Sequence, residues 1–233
     1  MIKAIRLLVF FALLSILLTG QAKDSEYSFR GILLGDSLTK SALVLPQAFK
    51  AFKVDEEFLN TFGILRVRAG NEDGFKECNV IGDKECLTGN LVFTQKSVGQ
   101  KLYLMEVEQT FPKPVTFNAI KESMQAAYGA PSYISAPKES SQYASTPYSI
   151  TSFVWGGNKV PMGEFEAKIP EDYDRIGGKF ITAKVFRVRG LVTGYKLILA
   201  DTDLLIANKP AFDKDFDAMM KERQDSRNKV IRF

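Results

Sequence analysis

Two strand-like runs, Leu87 to Gln95 and Lys101 to Phe111, restrict the fold of this chain more than any other stretch. In the second run Leu102, Leu104, Glu106 and Glu108 share one parity, and Tyr103, Met105, Val107 and Gln109 share the other. A period of two belongs to a strand whose side chains leave opposite faces. Only Lys96-Ser97-Val98-Gly99-Gln100 lies between the runs. Consecutive strands joined by short turns predict an antiparallel meander.

Further strands are expected at Phe62 to Ala69, Ser149 to Trp155, Lys179 to Arg189 and Val192 to Ala200, with a short extended entry at Tyr27 to Leu34. Three stretches carry helical spacing instead. Asp36 or Ser37 is placed to cap a helix through Leu38, Ala42 and Leu45, with Pro46 breaking it or opening a second turn. Thr116 caps a second, in which Phe117, Ile120, Met124 and Ala127 lie on one face and Gly129 follows as the stop. Phe212, Phe216, Met219 and Met220 mark a third, ahead of a charged tail. Pro112 and Pro114 are expected to stop the strand before them. Ser132 to Tyr148 and Gly156 to Gly178 read as long loops.

The fold class that follows is α+β: an antiparallel sheet, or two, with helices packed on one face. The order of strands and helices runs twice, which suggests related halves over 27–111 and 112–233.

Compartment is read from the other end of the chain. Lys3 and Arg6 precede an apolar core from Leu7 to Leu18, and Gly20 and Ala22 are the small residues of a cut after Ala22. This is the pattern of a secretory signal peptide over 1–22, leaving 23–233 as a single exported domain, periplasmic or secreted. The apolar core is too short to favour a stable span, so no integral membrane segment is expected after cleavage. The alternative is a retained anchor.

The chain has two cysteines, Cys78 and Cys86, with Gly82-Asp83 between them as a tight turn. In an oxidising compartment they read as one disulfide locking a hairpin. A zinc site needs about four ligands, and the chain holds no histidine. That same count removes Ser-His-Asp and Cys-His catalysis and most haem and iron sites. No cofactor and no metal site is therefore expected. The net charge of +4 falls to +2 without Lys3 and Arg6, too small to argue for nucleic acid.

Phe29-Arg30-Gly31-Ile32-Leu33-Leu34-Gly35-Asp36-Ser37-Leu38 resembles a strand-to-helix opening of exported bacterial proteins, Gly-Ile-x-Leu-Gly-x-Ser. Ala127-Tyr128-Gly129-Ala130-Pro131 resembles the Tyr-Gly-x-Pro helix end of the same proteins, with a Trp-bearing strand after it, here at Trp155. In architecture these are similar to the β-lactamase-inhibitor-like proteins and the small outer-membrane assembly lipoproteins. The resemblance implies helices on one face of a short antiparallel sheet. It covers about a dozen residues in two places and carries over no functional residue. The lipoproteins' anchoring cysteine is missing here.

Candidate chemistry is sparse. Glu164, Glu166, Glu171, Asp172 and Asp174 fall in one loop but lack the ligand rhythm and glycine turn of a calcium loop. Glu106 and Glu108 share a strand face, as a glycosidase pair would, but outward positions on a half-exposed sheet explain them better. Gly156-Gly157 and Gly177-Gly178 lack phosphate-loop spacing and read as turns. Lys221, Arg223, Arg227, Lys229 and Arg232 make a basic C-terminal stretch, either facing anionic envelope surfaces or forming a solvated helix end. Tyr133, Tyr143, Tyr148 and Trp155 surround the Ser/Pro-rich loop and are the candidate binding residues, the alternative being that they pack that loop onto the sheet. No catalytic residue is assigned. The expected function is a non-catalytic binding protein whose partner is another envelope or exported protein. The alternatives are a carboxylate-dependent hydrolase of envelope polymer, or an inhibitor of an exported hydrolase.

Overall fold

A computed structural model describes residues 27–55, 65–70, 85–139, 147–156 and 177–230. The fold is α+β, as expected. A small hairpin, β1 (Ser28–Phe29) and β2 (Ile32–Leu33), leads into α1 (Leu38–Ala48). Then come β3 (Ala51–Asp55), β4 (Leu65–Gly70), β5 (Cys86–Phe93) and β6 (Leu102–Val115). After α2 (Phe117–Tyr128) follow two short strands, β7 (Tyr133–Ile134) and β8 (Lys138–Glu139), and three long ones, β9 (Tyr148–Gly156), β10 (Lys179–Val188) and β11 (Leu191–Asp201). The last element is α3 (Thr202–Val230).

The order across the main sheet is β3-β4-β5-β6-β11-β10-β9-β7, with β8 also on β9, and the pairs are antiparallel. Strands before residue 116 fill one side of this sheet and strands after it fill the other. The two sides meet where β6 lies against β11, with Val107 opposite Leu197. This central pairing is the one long-range join that local patterning does not specify.

Odd-numbered positions of the long strands face α1 and α2. Leu91 and Phe93, Met105 and Val107, Leu197 and Leu199, Ile181, Ala183 and Val185, and Phe153 and Trp155 form one core with Leu45, Ala48, Ile120 and Met124 of the helices. Each fully buried large side chain of this kind stabilises the fold by roughly 1.5–3 kcal/mol. Ser37 caps α1 by accepting the Lys40 N–H, and Thr116 caps α2 by accepting the Ala119 N–H. The entry to α1 is sewn to the sheet: Gly35 N–H donates to Leu102 O, Leu102 N–H to Asp36 O, and Leu38 N–H to Gln100 O. The hairpin turn before it has Arg30 at φ 49° and Gly31 at φ 84°. Two consecutive residues with positive φ make the turn that matches strand twist, and glycine takes the second place without strain. The motif that resembles an exported-protein opening is thus a tight hairpin followed by a capped helix.

Several expectations need correction. Pro112 and Pro114 do not stop β6, which runs on to Val115. Beyond Thr110 it has outrun β5, which begins opposite that residue at Cys86. On the other side the register with β11 shifts between Gly194, opposite Thr110, and Val192, opposite Val115. Proline lacks an N–H to give a ladder, and among the described residues there is no regular ladder here to serve. Pro46 sits within α1 near its end and does not break it. The Ser132–Tyr148 stretch holds β7 and β8, which pair with β9.

The third helix is longer than its apolar positions suggest and begins directly after β11. Asp201 Oδ1 accepts the Leu204 N–H, which caps the first turn. Leu205, like Leu104, packs against Val154, Phe180 and Ala200, which lie on the sheet face opposite to α1 and α2. So α1 and α2 share one face, while the root of α3 covers one end of the other. The expected strand at Phe62 to Ala69 overlaps β4; residues 62–64 lie outside the described residues.

Candidate functional site

Even-numbered positions of the long strands point away from α1 and α2. Their register builds rows across the sheet. One runs Val92, Leu104, Ala200, Phe180, and the root of α3 with Tyr133 covers much of it. At the far end another runs Thr110, Gly194, Phe186, all buried, with the Tyr148 ring 6.2 Å from that of Phe186. Between them lie two rows that no described helix covers: Asn90, Glu106, Ile198, Thr182, and Thr88, Glu108, Lys196, Lys184, Ser152. Each of these side chains is half-buried. From β5 to β9 the window spans about 19 Å at roughly 4.8 Å per strand.

Charge on this window is divided by strand. The two acids are on β6 and the two bases are on β11 and β10. Lys196 Nζ pairs with Glu108 across the β6–β11 join. Asn90 Nδ2 donates to Glu106 Oε2 at 2.9 Å. Lys184 is opposite Lys196 on the neighbouring strand, and among the described residues it makes no ion pair. Like charges directly opposite repel. The window therefore presents Lys184 and Glu106, neither with an ion-pair partner among the described residues, together with an apolar Ile198 and three hydroxyls.

The candidate aromatic residues do not converge. Tyr133 is half-buried on β7 and packs at the α3 end of the open face. Tyr148 is half-buried at the other end, against Phe186. Trp155 is 3 % exposed and lies on the helix-covered face. Its ring stacks on Phe153 at 5.8 Å, meets Tyr128 edge-on at 5.6 Å, and its Nε1–H donates to Gly129 O at 2.9 Å. An indole buried with its one donor satisfied is a packing residue, so Trp155 is corrected from a binding candidate to a core residue. Its odd position on β9 was the signal for this. Tyr143 and the acidic loop residues 164–174 lie outside the described residues. Glu106 and Glu108 do point outward, each already engaged with a neighbour on the sheet.

Gln109 and Tyr195, on the helix side of the central join, carried no signal beyond strand parity. The Tyr195 hydroxyl donates to Gln109 Oε1 at 2.7 Å, and its ring is 6.0 Å from that of Phe111. Burial pushes the Tyr195 phenol up to about 12, with Arg30 pulling it partly back. Burial also raises the Tyr128 phenol, and Tyr195 adds to that rise. Both phenols stay neutral, and the Tyr195 hydroxyl bonds Gln109 across the joint between the two sides of the sheet.

Cys86 opens β5 and is half-buried; among the described residues no cysteine is free. Cys78 lies outside the described residues. Among the described residues no group of three or more Cys, Asp or Glu is gathered to hold a metal ion, and no helix is long and apolar enough to cross a membrane. No family model, no curated protein and no solved structure matches the chain.

Proposed function

We propose that this chain is an exported, non-catalytic binding protein that docks another envelope or exported protein on the open face of its sheet. The observation that carries the reading is the two-row window centred on Glu108, Lys196 and Lys184, which no described residue of a helix covers and which the α3 root bounds at one end and Tyr148 at the other. Among the described residues the sheet is shielded by helices on one face and carries regularly spaced, half-buried side chains on the other, a rigid platform for a partner. The resemblance of the Gly31–Leu38 segment to exported bacterial proteins supports the same compartment. So does the leader pattern of residues 1–22, and a Cys78–Cys86 bridge fits it. A chain without histidine is poorly equipped for acid–base work near neutral pH.

Photo-crosslinking in the exporting cell tests this. A photoreactive residue at Thr182, inside the window, is expected to trap one protein adduct. The same residue at Glu122, on the exposed side of α2, is expected to trap none. Adducts of equal yield at both positions, or none at Thr182, would retire the open face as the docking surface. The mass of the recovered chain reports the compartment: a chain that still starts at Met1 overturns cleavage after Ala22.

A further inference from the structure

We infer that α3 beyond Asn208 is a self-association element, and that it pairs antiparallel with α3 of a second copy of this chain. The root of the helix is fixed, since Leu205 packs on the sheet and Asn208 is buried. From Lys209 to Arg227 no residue is buried. This part of the helix spans roughly 28 Å at ~1.5 Å per residue and stands away from the body. Phe212, Phe216, Met219 and Met220 recur at i, i+4, i+7 and i+8, so they lie along one side. The Phe212 and Phe216 rings stack at 6.1 Å. Phe216 is 37 % and Met220 47 % exposed. A stripe of large apolar side chains on an otherwise charged helix marks an interaction face.

Charge decides what covers it. At about 100° per residue, Asp213 and Asp215 flank the N-terminal part of the stripe, one on each side. Arg223 continues the stripe at its other end. Over 213–217 three aspartates face one lysine; over 221–229 four bases face Glu222 and Asp225. The helix is thus acidic at one end of its apolar stripe and basic at the other. An antiparallel second copy matches these ends. Centred on Ala218, it sets Phe216 level with Met220 of the second copy, and Arg223 of each copy level with Asp213 of the other. Every such contact occurs twice, as two-fold symmetry requires. A parallel pair would set Asp213 beside Asp213 and Arg223 beside Arg223. The one ion pair that Asp213 makes among the described residues, with Lys209 at 3.6 Å, is exposed and weak enough to be exchanged.

Sedimentation equilibrium of the purified chain tests the inference. The mass is expected to rise with concentration from one chain toward two. Phe216→Asp is expected to hold it at one chain throughout; the position is exposed, and an unchanged circular dichroism spectrum shows that the fold survives. Asp213→Arg with Asp215→Arg is expected to weaken association by about tenfold or more, since like charges then face each other. Adding Arg223→Asp to that pair is expected to restore it, which a parallel pairing would not do. A single-chain mass up to about 1 mM, a Phe216→Asp variant that still associates, or a charge swap without rescue would each overturn the proposal.

Discussion

Asn208 Oδ1 accepts the backbone N–H of Gln95 at 2.8 Å, joining residues that are 113 positions apart in the chain. Both are buried. Gln95 ends the run that follows β5, and Asn208 is on the second turn of α3. The bond therefore sets where the helix leaves the sheet. Removing the acceptor strands a buried N–H, which costs about 1–3 kcal/mol. Asn208→Ala is expected to lower the urea midpoint accordingly and to increase hydrogen exchange at the Gln95 amide. Unchanged exchange at Gln95 would show that the contact does not anchor the helix.

A second relationship joins α1 to β5. A β-carbon on Gly89 would lie 2.5 Å from Cζ of the Phe49 ring and 2.8 Å from its Cε1. The ring, itself tilted on Phe29 at 6.0 Å, rests against the bare strand backbone. Gly89→Ala is expected to destabilise the fold by about 1–3 kcal/mol through overpacking, outweighing the ordinary entropic gain of replacing a glycine. Combining it with Phe49→Leu should recover part of the loss, because the smaller side chain yields the space. A thermal melt of the double variant no higher than that of Gly89→Ala alone would refute the packing account.

Local patterning made much of this architecture legible. Lys101 to Phe111 reads as a strand, and Thr116 and Gly129 bracket α2 with the expected cap and stop. What the pattern left open was non-local. Nothing in β6 or β11 announces that they pair with each other, and only that pairing places Lys196 beside Glu108. A local rule ends a strand at Pro112 and Pro114, yet among the described residues the regular pairing that would exclude them is absent where they sit. Trp155 shows the same limit on the site side. A tryptophan near a loop looks like a contact residue until the strand parity is tied to a face. Lys184 could be placed on the open face only once β10 had a partner on each side.

The phenol of Tyr195 gives the fold a dependence on alkaline pH. Its value is pushed up to about 12 by burial, from an ordinary 10.0, despite the opposing pull of Arg30. The folded chain therefore holds this proton more tightly than the unfolded chain does. Its contribution is complete below pH 10 and drains away as the pH climbs from there toward 12. Tyr128, raised by burial and by Tyr195, adds to the same fall. Each pH unit of difference corresponds to roughly 1.4 kcal/mol, an upper bound for a half-buried group. Tyr195→Phe keeps the ring and loses the hydroxyl that donates to Gln109. It is expected to lower stability near neutral pH by about 1 kcal/mol. It should also flatten the decline above pH 10, because one of the two phenols that drive it is gone. Urea unfolding of both proteins across that range decides the matter: curves that fall in parallel would show that the Tyr195 proton is not what the folded state protects.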